Sequence, residues 1–207
     1  MDRGGVVTVA RQLGAGGERL ARMLAERLGW RLLDRALVRR VAEELQVAPE
    51  EVRASERGES FLERLGQYLA EGFPELAPMV VPPPSAPEQV ARAARRVLAR
   101  IVEQGPAVVV GLGAQCILQE EPRAVHLLVV APFPVRLRRM MERWQLDEDA
   151  ARERLQRADA ARRAYIRDHF GREWLDPTLY HLCLDTGRLG HPLAVELAER
   201  AVRRLLG

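Results

Sequence analysis

Val6-Val7-Thr8-Val9-Ala10-Arg11-Gln12-Leu13-Gly14-Ala15-Gly16-Gly17 begins as an apolar run and breaks into a glycine turn. Leu20, Met23, Leu24 and Leu28 then recur at helical spacing, which predicts a strand over 6–10, a tight turn and a helix stopped by Gly29. A short buried strand is expected over 30–33. Asp34 is placed to cap a further helix carrying Leu37, Val38, Val41 and Leu45 on one face. The rhythm resumes with a helix from Ser85, where Glu88 completes a capping box, to a Gly105 stop. Further strands read at 108–110, 125–130 and 181–184, with helices over 135–144, from Asp147 into an arginine-rich run, and over 192–206. Five short apolar strands separated by helices imply an α/β fold, a parallel sheet covered on both faces.

The stretch 47–84 interrupts this order. Two short helical patterns are readable there, near Pro49 and from Ser60, before Pro82-Pro83-Pro84, which no helix or inner strand accepts. The reading is one domain over 1–207 with a helical insertion at about 47–84 and an arginine-rich helical lid at about 147–172.

Every one of the 32 basic residues is arginine, against 29 acidic ones, so the net charge is only +3. Aromatics make up 5% of the chain and form no basic, aromatic-studded stripe, which argues against a nucleic-acid reader. Cys116 and Cys183 follow no ligand spacing and are expected in the core, and His126, His169, His181 and His191 make no metal cluster. The apolar run after Asp2 and Arg3 is too short for a signal peptide, and no stretch reaches the roughly 18 apolar residues of a membrane span. A cytoplasmic protein that engages neither membrane nor nucleic acid is expected.

A strand, a glycine turn and a helix start together bring backbone amides to one point, the arrangement that cradles a phosphate. The stretch from Ala10 to Gly17 resembles the Ser-Arg-x-x-Gly-Ser-Gly-Gly opening of the cytidylate kinase-like proteins, relatives of CMP kinase among the P-loop nucleoside monophosphate kinases. The resemblance continues through Asp34-Arg35, Val108-Val109-Val110-Gly111-Leu112-Gly113-Ala114 and Asp159-Ala160-Ala161-Arg162-Arg163-Ala164-Tyr165. It ends in Asp176-Pro177-Thr178-Leu179-Tyr180-His181-Leu182 and Leu184-Asp185-Thr186-Gly187-Arg188-Leu189, so only 47–84 stands largely outside it.

The resemblance implies a three-layer P-loop fold that binds ATP or another nucleoside triphosphate with Mg2+ and passes its γ-phosphate to a nucleoside monophosphate such as CMP. Gly14, Ala15, Gly16 and Gly17 would bind the donor phosphates. The Walker pattern GxxxxGK[ST] laid on this stretch puts its first glycine at Arg11, its lysine at Gly17 and its hydroxyl at Glu18. Glycine at the lysine position is shared with the group the chain resembles. Arg11, entering the loop straight from the strand, is the candidate for the missing charge, with Arg19 as the alternative. Glu18 would repel phosphate unless magnesium or an arginine lies between them.

On the acceptor side, Arg40 aligns with the family's phosphate-holding arginine, and Asp34 has either an acceptor contact or its cap role. Arg157-Ala158-Asp159-Ala160-Ala161-Arg162 resembles the family's Arg-x-Asp-x-x-Arg, which implies an acceptor contact for Asp159 and catalytic roles for Arg157, Arg162 and Arg163. Mobile arginines suit the anionic transition state of phosphoryl transfer. The alternative for Arg157 is an i,i+4 pair with Glu153. Leu112 stands where the relatives carry arginine, and with Glu18 it favours the rival expectation, a protein of this fold that binds a nucleotide or phospholigand with little or no turnover.

Overall fold

The structure, a computed structural model, describes residues 4–33 and 86–207. Asp34, Arg40 and the insertion expected at 47–84 lie outside the described residues. Five strands, β1 (Val6–Arg11), β2 (Arg31–Leu33), β3 (Ala107–Val110), β4 (Ala124–Val130) and β5 (Leu182–Asp185), form one sheet in the order β2-β3-β1-β4-β5. Every pairing is parallel. The fold class is the one expected from the sequence.

Because side chains alternate across a strand, the continuous apolar runs supply both faces of the sheet at once. Val7, Val9, Val108, Val110, Val125, Leu127 and Val129 point to one side, where Leu20 and Leu24 of α1 (Gly17–Leu28) and Val195 and Val202 of α6 (Gly190–Leu206) cover them. Val6, Ala107, Val109 and Ala124 point to the other, under Ala94, Val97, Leu98 and Ile101 of α2 (Ala86–Glu103). A one-turn helix, α3 (Ala114–Ile117), follows β3. Helices α4 (Phe133–Trp144) and α5 (Glu148–Phe170) make a separate small cluster around Leu137, Met140, Ala151 and Leu155. Asp147 caps α5, accepting from the Ala150 amide at 2.8 Å.

The one-turn α3 and the 3-10 turn Pro177–Leu179 have no sequence-level counterpart above, since a single turn is too short to show a period. Cys183 is exposed, contrary to the expected core position, because β5 is an edge strand. No helix among the described residues is long and apolar enough to cross a membrane.

One polar pair interrupts the core. Thr8 on central β1 and His126 on β4 are both buried, with Thr8 Oγ1 and His126 Nδ1 2.8 Å apart. The His126 amide donates to Nδ1 of His181 at 3.0 Å. Burial, reinforced by His181, holds the His126 imidazole down from its ordinary 6.5 to about 4. The unfolded chain therefore binds more protons than the native one between these values, and stability falls as pH drops from 6.5 towards 4. The loss is on the order of 3 kcal/mol. Urea midpoints at pH 7 and pH 4.5 should show it, and His126→Gln should flatten it; an equal acid loss in the variant removes His126 as the source.

Candidate functional site

The glycine turn leaves the carboxyl end of β1, the middle strand, where open parallel sheets place their ligand crevices. Gly14 and Gly16 both lie at φ 76°, the left-handed region that turns the chain into α1. No side chain caps the start of α1, so the amides of its first turn are bare donors at the positive end of the helix.

Gly17, the first residue of α1, is packed beneath Arg11. A Cβ built on Gly17 would lie 2.4 Å from Arg11 Cβ and 2.9 Å from its Cγ, so no side chain fits there while Arg11 holds its place. The guanidinium runs on to Gly111 at the end of β3, where Nη1 would sit 2.7 Å from a Cβ. The Arg11 side chain is only 14% exposed, and its Nε is buried without a hydrogen-bond partner. Glu18 lies 3.5 Å from Arg11 and 3.9 Å from Arg143, so arginines screen the carboxylate that would otherwise repel phosphate. Arg19 is exposed.

Behind the turn, Arg136 of α4 is buried and pairs with Asp159 of α5 at 2.8 Å. Arg139, one turn further along α4, donates to Thr186 Oγ1 and to the Thr186 carbonyl, each at 3.1 Å. Thr186 is itself buried in the loop from β5 to α6.

Beside the turn is a cavity of about 30 Å³, lined among others by Arg11, Gly111, Leu112, Arg162, Tyr165 and Trp174. Its volume is that of one or two waters. Arg162 is buried, with its guanidinium over the Trp174 ring at 5.9 Å. Tyr180 donates to the Trp174 carbonyl at 2.6 Å, and burial holds its phenol above the ordinary value, so it stays a donor. Gly111, Leu112 and Gly113 take three successive left-handed conformations, at φ 82°, 58° and 66°. For leucine that geometry costs roughly 1–2 kcal/mol. The Leu112 side chain is buried in the core cluster under α2, and its carbonyl accepts from Tyr165 at 3.4 Å.

The structure thus brings Gly14, Ala15, Gly16, Gly17 and Arg11 together, with Arg162 sharing the cavity that Arg11 enters. Arg157 lies one to two turns away on α5 in an ion pair with Glu153, and Arg163 is exposed. Asp159 points at Arg136, and its Oδ1 is buried without a hydrogen-bond partner. Arg136, Arg139, Thr186 and His191 are not among the site residues expected from the sequence. The available signal is Arg136, an arginine beside Leu137 and Met140 on the buried side of α4.

The model of the cytidylate kinase-like family matches residues 6–188. No curated protein matches the chain in sequence. Among solved structures, an uncharacterized protein from Eubacterium ventriosum is similar with a TM-score of 0.68 at 18% identity, covering 96% of this chain and 98% of that one. Shikimate kinase from Acinetobacter baumannii, in complex with shikimate, gives 0.53 at 16% identity over 100% and 97%. A gluconokinase from Sinorhizobium meliloti gives 0.51 at 14% identity over 100% and 95%. At these identities the likeness is one of fold.

Proposed function

The chain belongs to the cytidylate kinase-like family, and from that premise we propose that it binds a nucleoside triphosphate on the Gly14–Gly17 turn and transfers the γ-phosphate to a nucleoside monophosphate such as CMP. Arg11 is the observation that carries the reading. A largely buried arginine, set over the first residue of α1, keeps an unpartnered Nε at the turn while its other end meets the half-exposed Glu18 carboxylate at 3.5 Å, so it has a donor to spare for an anion. The backbone amides of Gly14, Gly16 and Gly17 hold the donor phosphates, the Ala15 amide being engaged by the Gln12 carbonyl, and Arg11 supplies the charge that lysine gives in a Walker loop.

Among the described residues no group of three His, Cys, Asp or Glu side chains is placed to hold a metal ion. Mg2+ would be carried in on the triphosphate and held by the phosphate oxygens, with Glu18 engaged by Arg11 and Arg143. When bound, the ion neutralises charge on the β- and γ-phosphate oxygens. Arg162, with Arg157 and Arg163 on the same helix, closes over the transferring group as a lid. On the acceptor side Asp159 offers its unpartnered Oδ1, and Asp34 and Arg40 supply the remaining contacts. Positioning and charge neutralisation do the chemistry, and no protein nucleophile is needed.

Leu112 supports a second reading. Its side chain is turned into the core, so the loop after β3 brings no cation to the cavity. A protein that holds a nucleotide without turnover needs none there.

The phosphate site is tested by titrating ATP into two variants. Arg11→Ala should weaken binding by roughly tenfold to a hundredfold, the loss of a charge-assisted contact. Arg19→Ala should change it less than threefold or so, as for a solvated side chain. Equal effects of the two changes would remove Arg11 from the site.

A further inference from the structure

Four consecutive carbonyls of the glycine turn, from Leu13 to Gly16, are each taken up by a side chain from elsewhere in the chain. Arg136 Nη1 donates to the Leu13 carbonyl at 3.3 Å while its Nε holds the Ala131 carbonyl at 3.2 Å. Arg139 Nη1 donates to the Gly14 carbonyl at 3.3 Å. The Thr186 hydroxyl donates to the Ala15 carbonyl at 2.5 Å. His191 Nε2 lies 3.2 Å from the Gly16 carbonyl, which has no proton to give, so the imidazole is the donor.

The four donors come from two elements far apart in sequence, α4 and the segment from Thr186 to His191. They are not independent, because Arg139 also binds both the hydroxyl and the carbonyl of Thr186. Gly16 is fitted to this arrangement: a Cβ there would stand 2.2 Å from His191 Nε2.

A peptide unit whose carbonyl is tied down on one side presents its N–H on the other. We infer that Arg136, Arg139, Thr186 and His191 are positioning residues that hold the turn's carbonyls away from the crevice, so that the amides of Gly14, Gly16 and Gly17 form a phosphate-ready cradle before any ligand arrives, while the Ala15 amide is tied to the Gln12 carbonyl at 3.2 Å. The inference rests on the proposed phosphate site and adds a clamp to it. Its physical content is preorganisation: the ordering cost of the loop is met in folding and is not charged to binding.

The probe is inorganic pyrophosphate, which needs the cradle but neither a base nor an acceptor. Thr186→Val, which removes the hydroxyl donor of the Ala15 carbonyl, and His191→Leu, which leaves the Gly16 carbonyl with the Leu20 amide alone at 3.0 Å, should raise the pyrophosphate Kd by roughly fivefold or more. His191→Gln, which restores an N–H donor, should stay within about twofold of the parent. In ligand-free protein the amide resonances of Gly14, Gly16 and Gly17 should shift, and their hydrogen exchange accelerate, in His191→Leu but not in His191→Gln. Unchanged pyrophosphate binding in both donor-less variants, or a His191→Gln variant as impaired as His191→Leu, overturns the clamp alone. A parent protein that binds no pyrophosphate overturns the clamp and the phosphate site together.

Discussion

Arg11→Gly combined with Gly17→Lys is expected to recover triphosphate binding that each single change weakens. The two positions are in direct contact, with only 2.4 Å between a Cβ on Gly17 and the Cβ of Arg11. Gly17→Lys alone must push Arg11 aside at its Cβ, where the side chain has no freedom to swing clear. That overpacking costs about 1–3 kcal/mol of stability. It also displaces the buried guanidinium, so ATP affinity should fall by roughly tenfold to a hundredfold. Arg11→Gly alone loses the cation and should fall as far. Together the changes place glycine and lysine where the Walker pattern has them, and binding should return to within about tenfold of the parent. Isothermal titration of the four proteins measures this cycle. Additive losses in the double variant would mean that Arg11 and Gly17 are not a reciprocal exchange of charge and space.

Arg136→Ala is expected to cost about 3–5 kcal/mol of folding stability, because it strands Asp159 without its cation. Arg136 has a side chain 5% exposed, and its partner's is 17% exposed, so water compensates little of the loss. For a chain of this size the change should lower Tm by on the order of 10 °C. Asp159→Ala added to it should cost less than the sum of the two single losses, by at least about 1 kcal/mol, since the second change removes the stranded charge. Strict additivity in urea denaturation would show that the pair is not coupled.

The sheet was legible because parallel strands are buried on both faces and read as unbroken apolar runs, such as 6–10 and 125–130. The glycine turn was legible for a similar local reason: Gly14 and Gly16 stand where the backbone must turn left-handed. What holds that turn was not. Arg136, Arg139, Thr186 and His191 reach it from 123 to 175 residues away through backbone carbonyls, and a carbonyl contact leaves no mark on either sequence segment. Leu112 was conspicuous as a missing arginine, yet nothing in Gly-Leu-Gly announces that the leucine joins its neighbours at positive φ and buries its side chain. Asp159 was picked out by motif, and its partner Arg136 is set by the packing of α4 against α5. Glu18 looked like an obstacle in sequence and is screened by Arg11 and Arg143 in the fold.

Everything proposed for the turn, the lid and the acceptor contacts turns on phosphoryl transfer at this site. A coupled assay with ATP, Mg2+ and each nucleoside monophosphate in turn, run on the parent chain and on Arg162→Ala, addresses it most directly. Turnover with a pyrimidine monophosphate, CMP foremost, is expected, falling by roughly a thousandfold in Arg162→Ala while ATP binding is largely retained. Tight ATP binding with no turnover for any acceptor would contradict it and leave the chain a nucleotide-binding protein.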